Sequence, residues 1–357
     1  MTEQDAAAAE AATKAEITSS YVAAADAAAA SADAAEEVAT TPLAAATAAA
    51  TAGCASLNRS SNEQLPIVDT HQHLWNLARF KLAWMDEAPP VLKRSFHLAD
   101  YLAATKGLNV VKAVYLEVDV IPEQHNDEAK FVTEISKDPR YPTVAGVISG
   151  RPENDGFADY ITPYRDNPHI KGLRRLMEST PDGFCLQPQF IKSVQLLGKL
   201  GKHFEITIQP TQLNDALELV KRCPDTRFVI DHCGTADPKA FLPENQRRGA
   251  KPSHEAKPWT TAIAKLADQS NTICKISGIV AHATPDWTTD ELAPVVNQCL
   301  DRFGPERVMF GGDWPVCLLR IDSYVDWANS VRGYVADLTE EEQHAILHEN
   351  CETAYQL

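Results

Sequence analysis

The sequence predicts an α/β fold: a (β/α)8 TIM barrel over residues 63–357 behind a disordered, alanine-rich tail over residues 1–62. Three observations carry this. From Leu65 onward, short β-rich apolar runs alternate with longer amphipathic stretches, the pattern of βα units and a parallel sheet. Eight such units in about 250 residues match the count and size of the closed barrel. An open, doubly wound sheet would carry a glycine-rich phosphate loop after its first strand, but Val68-Asp69-Thr70-His71-Gln72-His73 stands there.

The tail follows from composition. Residues 1–60 contain 26 alanines, with Tyr21 as their single aromatic residue, and cannot bury a core. Eight acidic side chains against Lys14 in the first 58 residues supply −7 of the chain's net charge of −16. Alanine favours helix, yet without an apolar stripe nothing docks such a segment. The uncharged run Leu43–Ala55 ends in Thr51-Ala52-Gly53-Cys54, which is similar to a bacterial lipoprotein cleavage site. The acidic stretch upstream, where an export signal is basic, argues for a tail and a cytoplasmic protein instead.

The strands are expected at Ile67–His71, Val110–Val118, Val144–Ile148, Ile170–Leu176, Phe204–Gln209, Phe228–Asp231, Thr272–Ser277 and Val308–Phe310. Apolar spacing such as Leu213, Leu217 and Val220 predicts helices over Phe190–Lys199, Leu213–Arg222, Trp259–Ala267 and Leu292–Phe303. Thr339 followed by Glu342 forms a capping box that starts a terminal helix to about Tyr355, expected to complete the barrel's outer ring. Residues 241–258, rich in Pro, Lys and Arg, are expected to form a rim over the mouth.

Charge narrows the function. A chain at −16 repels nucleic acid phosphates and anionic lipid, so neither is an expected partner. No stretch is long and apolar enough to span a bilayer core about 30 Å thick. The eight cysteines are scattered, without CxxC pairs, and read as reduced, mostly buried thiols.

Barrel enzymes place their chemistry at the C-terminal ends of the strands. Strand one ends in His71-Gln72-His73, and strand alternation puts both imidazoles, with Asp69, on one side. Such a pair suits a borderline metal such as Zn²⁺ or hydrogen bonds to a carbonyl oxygen. Strand six delivers His232. Strand eight runs through Gly311-Gly312 into Asp313, a carboxylate able to bind metal or take a proton from water. Strand parity lets Glu117, Arg174, Gln209 and Lys275 point inward to bind substrate or to form internal salt bridges. Trp75, Trp84 and Trp314 suit stacking on a sugar ring or core packing. His97, His125, His169, His203, His254, His344 and His348 read as surface or packing residues, while His282 sits close to the mouth after strand seven.

The motifs Val68-Asp69-Thr70-His71-Gln72-His73-Leu74-Trp75, Lys171-Gly172-Leu173-Arg174, Val229-Ile230-Asp231-His232-Cys233-Gly234, Cys274-Lys275-Ile276-Ser277-Gly278 and Arg307-Val308-Met309-Phe310-Gly311-Gly312-Asp313-Trp314-Pro315 resemble the amidohydrolase superfamily. They are similar to its amidohydrolase-related branch, which includes sugar lactonases and a pyrone dicarboxylate lactonase. The resemblance implies catalytic and metal-ligating roles for His71, His73, His232 and Asp313. It also implies one divalent metal, Zn²⁺ for choice, or none, because the strand-four and strand-five positions that bridge two metals elsewhere hold Arg174 and Gln209 here. The implied activity is hydrolysis of a small lactone, with Asp313 as base toward water and Arg174, Glu117, Gln209, Lys275, Trp314 and Trp75 around the substrate. A metal-dependent decarboxylase of the same superfamily is the competing enzyme, and a non-catalytic sugar-binding barrel the competing class.

Overall fold

Eight parallel strands pair in strict chain order in a computed structural model that describes residues 64–357. They are β1 (Ile67–Gln72), β2 (Val110–Leu116), β3 (Thr143–Ser149), β4 (Ile170–Leu176), β5 (His203–Thr207), β6 (Phe228–Ile230), β7 (Thr272–Ile276) and β8 (Val308–Phe310). Closure comes from a parallel bridge between Gln72 and Trp314, where the His73 backbone N–H donates to the Trp314 carbonyl at 2.8 Å. The predicted barrel is therefore observed; the predicted tail, with Cys54, lies outside the described residues. Among those residues no helix is long and apolar enough to cross a membrane.

The helices predicted from periodicity appear at Pro188–Lys199, Leu213–Arg222, Ala256–Ala267 and Thr289–Phe303, each burying its apolar stripe against the strands. One was missed. Tyr324–Tyr334 follows β8, capped by the Ser323 hydroxyl and burying Tyr324, Trp327, Ala328 and Val331 at helical spacing. It occupies the ring position expected for the terminal helix. The Thr339–Glu342 capping box does start the terminal segment, which passes through a π-helical turn at Ala345–Glu349 to Asn350–Tyr355. That segment plugs the barrel instead. Cys351 and Tyr355 pack against Val68, Val114, Leu116, Val147, Val229 and Met309, the apolar layer beneath the polar mouth.

A second correction concerns Asp69. The register slips between Asp69 and Gln72, breaking simple alternation, and the Asp69 carboxylate turns away from the mouth. It accepts from the backbone N–H groups of His71 (3.0 Å) and Gly312 (2.7 Å) and from the hydroxyls of Tyr101 and Tyr324 (2.8 Å each). One buried carboxylate thus ties β1 to the β8 loop and to two outer helices. Tyr101→Phe, which removes one of these charge-assisted bonds at constant shape, is expected to cost about 2 kcal/mol, read from the urea midpoint at unchanged slope.

Candidate active site

The strand ends build a polar layer over that apolar one. His71 and His73 stand edge to face with ring centroids 4.9 Å apart, and His71 lies 4.5 Å from the His232 ring. Asp313 Oδ1 reaches His71 Nε2 at 3.5 Å and His73 Nε2 at 3.4 Å. The four residues singled out in the sequence are therefore brought together, from β1, from just after β6 and from just after β8.

The backbone that does this is unusual. His232, Cys233, Gly234 and Thr235 all have positive φ (53°, 54°, 67° and 52°), and Asp313 has φ 54°. Such conformations are uncommon for residues with a Cβ and gather at functional sites. Gly278 closes the arrangement, since a Cβ there would lie 2.2 Å from His232 Nδ1. His232 Nδ1 is held by the Ser277 hydroxyl at 2.9 Å.

Beneath the imidazoles runs a buried ion-pair network. Arg174 pairs with Glu117 at 2.7 Å and with Asp231 at 3.2 Å, and places its guanidinium 3.0 Å from His71 Nε2. Lys275 pairs with Glu205 at 2.7 Å and Asp231 at 2.9 Å, and its Nζ lies 3.3 Å from His71 Nδ1. Glu205 in turn accepts from the Tyr355 hydroxyl at 2.6 Å, joining the terminal plug to the network. Burial, then the Lys275 charge, lowers the His71 pKa well below its ordinary value, so this imidazole is neutral. Burial works against the ionised Asp231, but Lys275 and Arg174 outweigh it and hold that carboxyl below the usual range.

A cavity of about 270 Å³ opens above this layer. His73, His232, Asp313, Glu117, Arg174 and Trp75 line it, as does His282, while Trp84, Ala88, Pro89, Leu92, Val316 and Leu319 form an apolar wall. The rim therefore comes from residues 84–92 and 316–319, and none of residues 241–258 reaches the lining; Phe241 packs on Trp259 instead.

Three predicted substrate residues stand apart. Gln209 lies beyond the end of β5, and its amide bonds the Glu178 carbonyl at 2.5 Å; Thr207 takes the lining position. Trp314 is buried against Phe96 and Tyr101. Lys275 lies wholly beneath the mouth. Sequence reasoning missed Asp231, Glu205, Arg151, Arg175 and Glu178. Asp231 was visible as the acidic end of an apolar run, whereas the others gain meaning only from neighbours distant in the chain.

The geometry accommodates one divalent cation. The ligand atoms of His71, His73 and Asp313 all lie within 4.8 Å of one another. His73 Nδ1 meets the Leu116 carbonyl at 3.1 Å, which fixes its proton there and turns the Nε2 lone pair toward Asp313. A lone pair facing a carboxylate oxygen is unfavourable unless a cation sits between them. Four carboxylates, Glu117, Glu205, Asp231 and Asp313, also outnumber the two buried cations, Arg174 and Lys275, which leaves room for a dication's charge. The Arg174 guanidinium, 3.0 Å from His71 Nε2, would have to turn from that nitrogen for the cation to bind there. His71, Asp231 and His232 form another close trio, but Asp231 already carries both cations.

The Amidohydrolase family model matches residues 68–357, and the chain belongs to that family. It is 29% identical to an L-fucono-1,5-lactonase of Burkholderia multivorans over 75% of this chain and 88% of that protein. It is 23% identical to an L-rhamnono-gamma-lactonase of Scheffersomyces stipitis over 71% of this chain and 86% of the relative. Among solved structures it superposes on an amidohydrolase from Burkholderia multivorans with bound Zn at TM-score 0.70 and 24% identity, covering 82% of this chain and 99% of that one. The 5-carboxyvanillate decarboxylase of Sphingomonas paucimobilis shares the fold at TM-score 0.54 and 14% identity, covering 82% and 100%.

Proposed function

We propose that this member of the amidohydrolase family hydrolyses a small, uncharged lactone, an aldonolactone by preference. The observation that carries the reading is Asp313, a carboxylate at the cavity floor whose neighbours among the described residues are two imidazole nitrogens and no Lys or Arg. There it can take a proton from water as the oxygen attacks the ring carbonyl. The named activities of the lactonase relatives support the same reaction.

Charge supports an uncharged substrate. All three cations lining the cavity are already paired: Arg174 with Glu117 and Asp231, Arg151 with Asp119 at 3.0 Å, and Arg175 with Glu153 at 3.0 Å. A carboxylated lactone or an aromatic acid would find each of these guanidinium groups already held by a carboxylate and would face Glu117 and Asp313. Hydroxyl groups can share the existing donors and acceptors, and the Trp84 and Leu92 wall suits an apolar ring face or methyl group. The paired cations likewise disfavour decarboxylation, whose substrate is an acid.

His71, His73 and Asp313 would hold a single Zn²⁺ or similar cation, which when bound would polarise the carbonyl as a Lewis acid. Arg174, fixed by Glu117 and Asp231, supplies a permanent positive charge for the developing oxyanion. His232, braced by Ser277 and Gly278, orients the water or the substrate. The test is acid release, followed with a pH indicator, from L-fucono-, L-rhamnono-, L-galactono- and D-arabinonolactones with and without chelator. Turnover of at least one lactone is expected, with loss on chelation and recovery with Zn²⁺. Release from none of them would overturn the reading.

A further inference from the structure

The carboxyl groups around the cavity divide into those already held and those free to act. Glu117 is held by Arg174, by the Ser149 hydroxyl at 2.9 Å and by the Asp119 backbone N–H at 2.6 Å. Asp119 is held by Arg151, and Asp231 by Arg174, Lys275 and the Thr207 hydroxyl at 3.0 Å. Glu178 is different. It follows β4, lines the same cavity as Asp313, and its side chain makes no hydrogen bond or ion pair among the described residues. Its backbone is nonetheless held, because its carbonyl accepts from the Gln209 amide.

Ring opening needs two opposite proton movements. A base takes a proton from the attacking water, and an acid gives one to the departing alkoxide, which is otherwise a poor leaving group. Two carboxyl groups in one cavity can divide that work when their surroundings hold one ionised and the other protonated. We propose that Glu178 is the catalytic acid that protonates the leaving ring oxygen, the partner of Asp313; this rests on the lactone reading above. Burial pushes the Glu178 carboxyl up, Arg174 opposes the rise, and Asp313, Asp231 and Glu117 add to it, leaving it at about 7.

The step balances. The water oxygen bonds to the carbonyl carbon as its proton passes to Asp313, and the tetrahedral carbon then releases the ring C–O bond. The ring oxygen leaves with the Glu178 proton as an alcohol, and the product is a hydroxy acid. Asp313 returns its proton to solvent and Glu178 takes one back, so that the net proton released is that of the product's carboxylic acid.

The experiment compares full-length wild type, Glu178→Gln and Glu178→Asp on the aldonolactone turned over best and on dihydrocoumarin, whose phenoxide departs without needing a proton. Glu178→Gln is expected to lower kcat on the aldonolactone by about 100-fold and on dihydrocoumarin by less than about 10-fold. Wild-type kcat is expected to fall on the alkaline side as the acid loses its proton, and this limb is expected to vanish in Glu178→Gln and return in Glu178→Asp. Equal losses on both lactones, or an alkaline limb that persists in Glu178→Gln, would overturn the assignment while leaving the lactone reading intact. A wild type that opens no lactone overturns both.

Discussion

Asp313→Asn is expected to lower kcat on the true lactone by about 10³-fold while the protein stays folded. The amide keeps the carboxylate's shape and can still face His71 and His73, but it cannot accept a proton from water. Among the described residues Asp313 has no Lys or Arg partner, so its neutralisation strands no buried side-chain cation. Thermal unfolding within a few degrees of wild type, together with the collapse in turnover, separates this chemical role from a structural one. A variant that keeps wild-type turnover would remove Asp313 from the mechanism.

Lys275→Met is expected to be the most damaging single change to stability. Lys275 lies fully buried between Glu205 and Asp231, so replacing it leaves two carboxylates facing each other without their shared cation. Breaking a buried pair from one side costs about 3–5 kcal/mol, which for a domain of this size lowers the thermal midpoint by about 10 °C. The deficit is expected to shrink toward acid pH, because protonating either carboxylate relieves the repulsion. Calorimetry at pH 5 and pH 8 checks both the size and the sign.

These expectations rest on features that the sequence discloses unevenly. The barrel was legible because parallel strands buried on both faces are written as apolar runs, and strands such as Val308–Phe310 stand out between turn signals. The three histidines and Asp313 were legible because each follows directly on such a run, where a barrel keeps its chemistry. Alternation carried less. It placed Asp69 beside His71, but the register slip turned Asp69 outward to Tyr101 and Tyr324. It pointed Lys275 and Trp314 inward without saying how deep they lie.

The terminal segment shows a similar limit. Its capping box was readable, yet a box says where a helix begins and nothing about which end of a barrel it meets. Glu178 lies in a loop with no periodic pattern, and its significance comes from the lack of partners in a site where other acids have them. Such a property belongs to the assembled neighbourhood, and no window of sequence contains it.

The most direct test of the central claim is kcat/KM measured by NMR-monitored ring opening for an uncharged aldonolactone and for a carboxylated lactone such as pyrone dicarboxylate. With every lining guanidinium already paired, the account predicts turnover of the uncharged lactone and at least about 10²-fold less for the carboxylated one. Preference for the carboxylated substrate, or decarboxylation of an aromatic acid with no lactone opened, would contradict it.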